Sequence, residues 1–137
     1  MKILFRTGHD LDVDALIELY RASTLAERRP VEDRERMAAM LRNANLVITA
    51  WDGEALVGIA RGITDFVYVT YLSDLAVRDS HQRSGIGKEL MRRTQAAAPD
   101  AQIILLAAPA AEKYYAKAGF THHPQAWVLK PGESISP

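Results

Sequence analysis

The sequence Gln82-Arg83-Ser84-Gly85-Ile86-Gly87-Lys88 lies between an apolar run that ends Leu75-Ala76-Val77 and a segment with helical periodicity. A strand, a glycine-bearing loop and a helix in this order are typical of a phosphate site. Glycine lets the backbone approach the ligand closely, and the first N–H groups of the helix point at the anion. Arg83 and Lys88 add positive charge to that of the helix dipole. The stretch therefore predicts a ligand that carries a pyrophosphate group.

Counting residues excludes two common phosphate loops. In a triphosphate loop, Gly-x4-Gly-Lys followed by Ser or Thr, the first glycine would fall at Gln82 and the hydroxyl at Glu89. In the dinucleotide fingerprint Gly-x-Gly-x-x-Gly, the third glycine would fall at Leu90. Neither pattern fits, so ATP-type and NAD-type loops are both disfavoured.

Hydrophobic periodicity predicts the element order β-α-α-β-β-β-α-β-α-β. This order predicts an α/β protein whose sheet is mixed, as in α+β folds, and a single domain over residues 1–137. Asp52-Gly53 predicts a hairpin turn. The almost wholly apolar segment Ala101–Ala107 predicts a strand that is buried on both faces. Strands are predicted over residues 2–6, 46–51, 54–63, 66–77, 101–107 and 125–130, and helices follow Asp10 or Asp12, Pro30, the glycine loop and Pro109.

The composition limits the classes of partner. The 17 basic and 17 acidic side chains cancel, which argues against a nucleic-acid surface because such a surface normally has a basic excess. The chain has no cysteine, so thiolate metal sites and cysteine nucleophiles are excluded. The run Ile3-Leu4-Phe5 is too short for a signal peptide, and no segment reaches the length of a membrane span. We therefore expect a cytoplasmic protein with no membrane contact.

Two motifs in the predicted order resemble the GNAT superfamily of acyl-CoA-dependent N-acetyltransferases. Residues Gln82–Gly87 match the pattern Gln/Arg-x-x-Gly-x-Gly/Ala, with Leu75-Ala76-Val77 at the expected distance before them. The segment Ala111–Phe120 resembles the family's helix that ends in Tyr-x-Lys-x-Gly-Phe. The resemblance covers most of the chain. It implies a GNAT-like fold, acetyl-CoA as co-substrate, no metal, and transfer of acetyl to a primary amine by direct attack in a ternary complex.

The resemblance also implies how the donor is held. The strand before the loop would splay from its neighbour at a bulge, and the backbone of Leu75, Ala76 and Val77 would pair with the pantetheine arm. The N–H groups of the loop would hold the pyrophosphate. The plainer interpretation is strand core for Leu75 and Val77, and a solvated helix start for Arg83 and Lys88. The implied cofactor-binding residues are Leu75, Ala76, Val77, Gln82, Arg83, Ser84, Gly85, Ile86, Gly87 and Lys88.

Tyr115 is the implied general acid, because relatives commonly use a tyrosine at this position to protonate the leaving thiolate. Adjacent Tyr114 points about a quarter-turn away on a helix and is expected in the core. The alternative is that Tyr115 is a packed amphipathic residue. The backbone N–H of Leu75 is the expected donor to the oxyanion.

The general base is not defined by the sequence. Some relatives carry Glu where this chain has Tyr71, and many carry Asn where it has Ala108. Asp74 is the nearest acid, but simple strand alternation places it on the opposite face from Tyr71 and Ser73, so a structural role is an equal alternative. These departures keep open a second interpretation, an acyl-CoA-binding sensor or structural module.

The remaining residues suggest no further chemistry. His122-His123 point opposite ways on a predicted strand without a third ligand, so we expect no metal site. The acceptor is expected to be a small-molecule or peptide amine, which the sequence does not identify. Relatives often form homodimers, so a homodimer is one expected assembly.

Overall fold

The computed structural model describes residues 2–137, which form one compact unit that ends at Leu106 and a second that spans Ala107–Pro137. No helix among these residues is both long and apolar enough to cross a lipid bilayer. The first unit holds β1 (Ile3–Thr7), α1 (Val13–Arg21), α2 (Arg34–Asn43), β2 (Leu46–Asp52), β3 (Ala55–Thr64), β4 (Val69–Val77), α3 (Ile86–Ala97) and β5 (Gln102–Ile104). The second unit holds α4 (Glu112–Lys117).

A five-stranded mixed sheet in the order β1-β2-β3-β4-β5 forms the centre of the first unit. Strands β1 to β4 are antiparallel neighbours, and β5 joins β4 in parallel. The predicted Asp52-Gly53 turn connects β2 to β3, with Gly53 in the left-handed region at φ +61°. The mixed α/β class predicted from the sequence is confirmed.

Helices α1 and α2 cover one face of the sheet. Asp12 caps α1 by accepting the N–H of Asp14, and the apolar stripe of this helix is buried against Ile59 and Ala76 of the sheet. The core members of the two helices are Leu16, Ile17, Leu19, Tyr20, Met37 and Leu41.

Helix α3 packs closely on the opposite face because β3 carries a glycine beneath it. A Cβ added at Gly58 would lie 3.1 Å from Leu90 Cδ1 and 3.2 Å from Ile86 Cγ2. The neighbouring residue Ile59 points to the α1–α2 side, as strand alternation requires. The predicted inner face of α3 is confirmed, with Ile86, Leu90, Met91 and Thr94 buried.

Strand β4 changes its pairing midway along its length. Arg61 pairs with Asp74 and Gly62 with Leu72, so Ser73 is an extra residue that bulges from the ladder. On its other side β4 pairs with β5 only from Val69 to Tyr71. The half of β4 beyond Tyr71 therefore has a strand neighbour on the β3 side alone.

Two predicted strands differ from the structure. Residues 125–130 form no strand among the described residues, and Trp127 is 93% exposed. Strand β5 is limited to Gln102–Ile104, and the expected burial on both faces is wrong because Ile104 is 46% exposed. Apolar and β-branched composition gives a tendency to extend, but a strand needs a partner for its N–H and C=O groups.

Candidate active site

The half of β4 beyond Tyr71, which has no neighbour on the β5 side and is called the splayed half below, has unpaired backbone groups at one edge. Arg78 donates its N–H to the carbonyl of Val57 on β3 at 2.8 Å. Because N–H and C=O groups alternate between the two edges of a strand, Ala76 also faces β3, whereas Leu75 and Val77 face the opposite edge. No strand pairs with that edge at these positions in the described chain. The backbone groups of Leu75 and the N–H of Val77 are therefore available to an extended ligand, whereas the Val77 carbonyl accepts from the Gln82 side chain and the groups of Ala76 belong to the β3 ladder.

The loop after β4 presents a row of N–H groups. Asp79–His81 form a 3₁₀ turn, Arg83 has a φ of +62°, and Gly85 begins α3 with a φ of +86°. The first helical hydrogen bond runs from the Glu89 N–H to the Gly85 carbonyl at 3.1 Å. The N–H groups from Arg83 through Lys88 have no acceptor among residues 2–137. Unpaired N–H groups at the start of a helix are the donors that suit an anion.

Two predicted ligand-binding side chains hold the loop in shape. Gln82 donates its side-chain amide to the Val77 carbonyl at 3.0 Å and to Asp79 Oδ1 at 3.2 Å. Ser84 donates its hydroxyl to the carbonyl of His81. Both side chains therefore fix the backbone of the loop.

The loop is also tied to the β2–β3 hairpin. The His81 imidazole lies with Nε2 2.8 Å from Asp52 Oδ2 and with Nδ1 2.7 Å from the Ser80 hydroxyl. This link fixes the first turn of the loop relative to the sheet.

The charges around the loop favour an anion. The side chains of Arg83 and Lys88 are exposed and form no ion pair with any described residue. The nearby carboxylate of Glu89 pairs with Arg93 at 2.9 Å and Arg92 at 3.4 Å. The hydrogen bond from Arg93 holds the pKa of Glu89 below its usual range. Positive charge therefore dominates at the start of α3.

Asp74, the acid considered as a base, is enclosed in a buried network. Its Oδ2 accepts from the Tyr20 hydroxyl at 2.5 Å and from Arg61 Nε at 2.6 Å. Its Oδ1 accepts from Arg29 Nε at 2.6 Å and from the Ser73 hydroxyl at 3.1 Å. The Asp74 side chain has 0% exposure. Ser73 reaches Asp74 because the bulge breaks the simple alternation on which the sequence prediction rested.

The network keeps Asp74 ionised. Burial alone would raise the pKa of the Asp74 carboxyl, but the hydrogen bonds and charges of its partners, led by Arg61, outweigh burial and lower the pKa. Burial and the Asp74 charge raise the pKa of the Tyr20 phenol. A carboxylate whose oxygens already accept from cations and hydroxyls is a poor proton acceptor. We therefore assign Asp74 a structural role.

Tyr115 belongs to the second unit, where it lies on α4. Its ring is T-shaped to Tyr114 at a centroid distance of 5.3 Å and to Phe120 at 5.6 Å. Gly119, with a φ of +103°, ends the helix as predicted, and the Phe120 N–H returns to the Tyr115 carbonyl at 3.0 Å. Tyr114 is 38% exposed, so its predicted place in the core is wrong.

The sequence analysis missed Arg29 and Arg61. Arg61 is the one charged residue in Gly58–Ile63 of β3, and Asp74 is the one charged residue in β4. Opposite charges within the apolar runs of neighbouring strands are a signal from which a buried ion pair could have been predicted. Arg29 gives no comparable signal, because it lies in a run of mixed charge.

Metal ligands do not cluster in the described part of the chain. No three His, Asp or Glu side chains among residues 2–137 come together in an arrangement that could hold a metal ion.

A family model described as "Acetyltransferase (GNAT) domain" matches residues 20–130. The match spans both motifs and most of the chain, and the five-stranded sheet and helices agree with it. The chain belongs to the GNAT family and is an acyltransferase. Members of this family use acetyl-CoA as co-substrate.

Solved structures share the fold. A GNAT family acetyltransferase from Streptococcus pneumoniae TIGR4 is 23% identical with a TM-score of 0.76, over 94% of this chain and 99% of that one. A probable acetyltransferase from meticillin-resistant Staphylococcus aureus is 22% identical with a TM-score of 0.77, over 94% and 98%. An aminoglycoside acetyltransferase from an uncultured soil metagenomic sample, in complex with sisomicin, is 20% identical with a TM-score of 0.68, over 93% and 94%. A comparison with curated protein sequences gave no match.

Proposed function

We propose that this protein transfers the acetyl group of acetyl-CoA to a primary amine by direct attack in a ternary complex. The observation that carries the proposal is the pair of backbone surfaces formed by the unpaired edge of β4 at Leu75 and Val77 and by the loop N–H groups from Arg83 through Lys88. Pantetheine carries amide donors and acceptors that suit an unpaired strand edge, and a pyrophosphate suits the N–H groups of the loop. Membership of the GNAT family supports this assignment of the surface to acetyl-CoA.

In the proposed reaction the amine nitrogen attacks the thioester carbonyl carbon, and the carbon–sulfur bond breaks. The Leu75 N–H donates to the carbonyl oxygen as negative charge develops on it. The departing thiolate belongs to a thiol with a pKa of about 8.5. Tyr115 gives this thiolate its phenolic proton and recovers a proton from water.

Two protons leave the amine in this proposal, one before attack and one from the nitrogen after it has bonded to the carbonyl carbon. Both pass to water, which returns one proton to Tyr115. An alkyl amine has a pKa of about 10, so a proton must leave before attack. Position 71 is a tyrosine, and the carboxylate oxygens of Asp74 are engaged by Arg29, Arg61 and Tyr20. No acid of β4 is therefore assigned as a base.

The acceptor in this proposal is a small-molecule or peptide amine. The aminoglycoside acetyltransferase among the structural relatives is in complex with sisomicin, and at 20% identity it shows the fold alone. A cytoplasmic location and a homodimer remain predictions from the sequence and the family.

A thiol-release screen tests the proposal. Purified protein is incubated with acetyl-CoA and pooled amines that span polyamines, amino acids, aminoglycosides and peptides with free lysines. We expect thiol release above the amine-free rate in at least one pool, and the acetylated amine in that pool by mass spectrometry. Binding of acetyl-CoA by calorimetry without amine-dependent thiol release would favour the acyl-CoA-binding module instead.

A further inference from the structure

The segment between α1 and α2 forms hydrogen bonds with the bulge of β4 through the side chain of Arg29. Arg29 follows the 3₁₀ turn Leu25–Arg28, and its side chain is 19% exposed. Its Nε donates to Asp74 Oδ1 at 2.6 Å, and one terminal nitrogen donates to the Ser73 carbonyl at 2.7 Å. Its other terminal nitrogen donates to the Arg28 carbonyl at 2.7 Å. Arg29 thus holds both a side chain and a peptide group of the bulge.

Both groups that Arg29 holds lie directly before the peptide bond that carries the Leu75 N–H. The Ser73 carbonyl belongs to the peptide bond before Asp74, and the next peptide bond carries the Leu75 N–H. Ser73 is the extra residue of the bulge, so the β3 ladder does not fix its carbonyl direction. The pairing of Asp74 with Arg61 starts the regular β3 ladder after the bulge, and the held Asp74 side chain and Ser73 carbonyl fix the residue at which it starts. These contacts and the ladder together set the direction of the Leu75 N–H.

Arg61 of β3 holds the same bulge from the side of the sheet. It donates to Asp74 Oδ2 at 2.6 Å, to the Ser73 hydroxyl at 3.0 Å and to the Met40 carbonyl of α2 at 3.2 Å. Arg61 is 6% exposed as a residue, and every buried side-chain polar atom of the described residues has a hydrogen-bond partner. The bulge is therefore held from β3 and α2 by Arg61 and from the α1–α2 segment by Arg29.

We propose that Arg29 is a positioning residue that aims the Leu75 N–H at the reacting carbonyl oxygen, an inference that rests on the proposed acetyl transfer. Arg29 acts through the bulge and not on the substrate. It also couples the α1–α2 segment to the oxyanion donor, so the order of that segment is transmitted to the reacting group. The planar guanidinium fork makes both contacts at once, which an ammonium group on a lysine stem does not reproduce.

The test compares Arg29→Met and Arg29→Lys with a matched control, Arg28→Met. Arg28 is the adjacent, exposed arginine, and its side chain makes no hydrogen bond or ion pair within residues 2–137. Each variant is measured for acetyl-CoA affinity by calorimetry, for kcat and KM with the best amine of the thiol-release screen, and for thermal midpoint. The response of the Leu75 amide to acetyl-CoA is followed by ¹H–¹⁵N NMR.

We expect both Arg29 variants to bind acetyl-CoA within about threefold of the native protein and to lose about 10- to 100-fold in kcat, because a small misplacement of a reacting group has effects of this size. The Leu75 amide shift on adding acetyl-CoA should shrink in both variants and stay native in Arg28→Met. If Arg29→Met does not fold, Arg29→Lys keeps the charge of the network and carries the same test.

A native kcat and a native Leu75 response in folded Arg29→Lys would overturn the inference. So would a lower thermal midpoint with unchanged kcat, because that result means a purely structural contact. Failure of the native protein to bind acetyl-CoA is a different outcome, since it would overturn the proposed function itself.

Discussion

Tyr115 would act through one proton, so its contribution can be isolated by removing one oxygen atom. We predict that Tyr115→Phe lowers kcat by about 10- to 1000-fold, a range typical of a lost general acid, and leaves acetyl-CoA affinity nearly unchanged. Tyr114→Phe is the matched control, because Tyr114 is the adjacent tyrosine on the same helix. Native turnover in Tyr115→Phe would remove Tyr115 from the mechanism.

Asp74 contributes to stability through the charges that it neutralises. We predict that Asp74→Asn lowers the free energy of unfolding by about 3–5 kcal/mol, because Arg61 would be left as a buried charge without its anion. Urea denaturation measures this difference. Asp10→Asn, a change at an exposed aspartate with no hydrogen bond to the described chain, should have almost no effect. Equal unfolding midpoints for the two variants would contradict the network's structural role.

At the scale of residues, the sequence alone could place Asp74 near the site but could not settle its role. Simple strand alternation placed it on the opposite face from Ser73, which the bulge makes wrong, and a structural role was one of the alternatives. Its contact with Ser73 depends on the bulge, whose position follows from how β3 and β4 align and not from either strand alone. Arg29 is brought to Asp74 by tertiary packing across 45 residues of sequence, which no local pattern encodes.

In the proposed function, donor binding depends on the junction of loop and helix at Gly85. A Cβ at Gly85 meets nothing within 4 Å, so the need for glycine is conformational: its φ is +86°. We predict that Gly85→Ala costs roughly 1 kcal/mol in stability and weakens acetyl-CoA binding by changing the path of the loop N–H groups.

Gly132→Ala is the matched control for this change. Gly132 has the same φ of +86° and equally open surroundings, but it lies outside the loop. Calorimetry should show native acetyl-CoA affinity for this control and a lower affinity for Gly85→Ala. Equal affinities in the two variants would contradict the role of the loop.

Elements with a local signal were predicted well. The Asp52-Gly53 hairpin and the inner face of α3 follow from turn chemistry and from helical periodicity, which act within a few residues. The strand predicted at 125–130 and the length of β5 depended on a partner strand, and here the sequence pattern did not suffice. β-propensity indicates that a segment favours an extended backbone, but a strand forms only where a neighbouring strand pairs with it.

At the scale of the whole molecule, the ion pairs and hydrogen bonds of the carboxyl groups determine how the free energy of unfolding depends on pH. The carboxyl groups with pKa values held below their ordinary range by arginine partners or backbone N–H groups are Asp14, Glu18, Asp65, Asp74 and Glu89. A carboxyl whose pKa is lower in the folded state stabilises the fold above its unfolded pKa of about 4. That stabilisation is lost as pH falls through the folded-state pKa.

We therefore predict that the free energy of unfolding is steady from pH 7 to about 5 and falls as the pH drops toward 3. Urea midpoints at several pH values measure this trend. In Asp74→Asn the acid-dependent fall should be smaller, because one of the linked carboxyl groups is gone. A midpoint that stays constant to pH 3 in the native protein would contradict the assignment of these ion pairs.

Acetyl-CoA titration of ¹⁵N-labelled protein tests the central claim most directly, because it reports on each backbone N–H of the donor surface. The account predicts saturable shifts of the Leu75 and Val77 amides and of the amides from Arg83 through Lys88. Shifts at α1 and α2 should be small at the same concentrations. Saturable binding that leaves the loop amides unmoved, or no binding at all, would contradict the claim that this loop and the splayed half of β4 hold the acetyl donor.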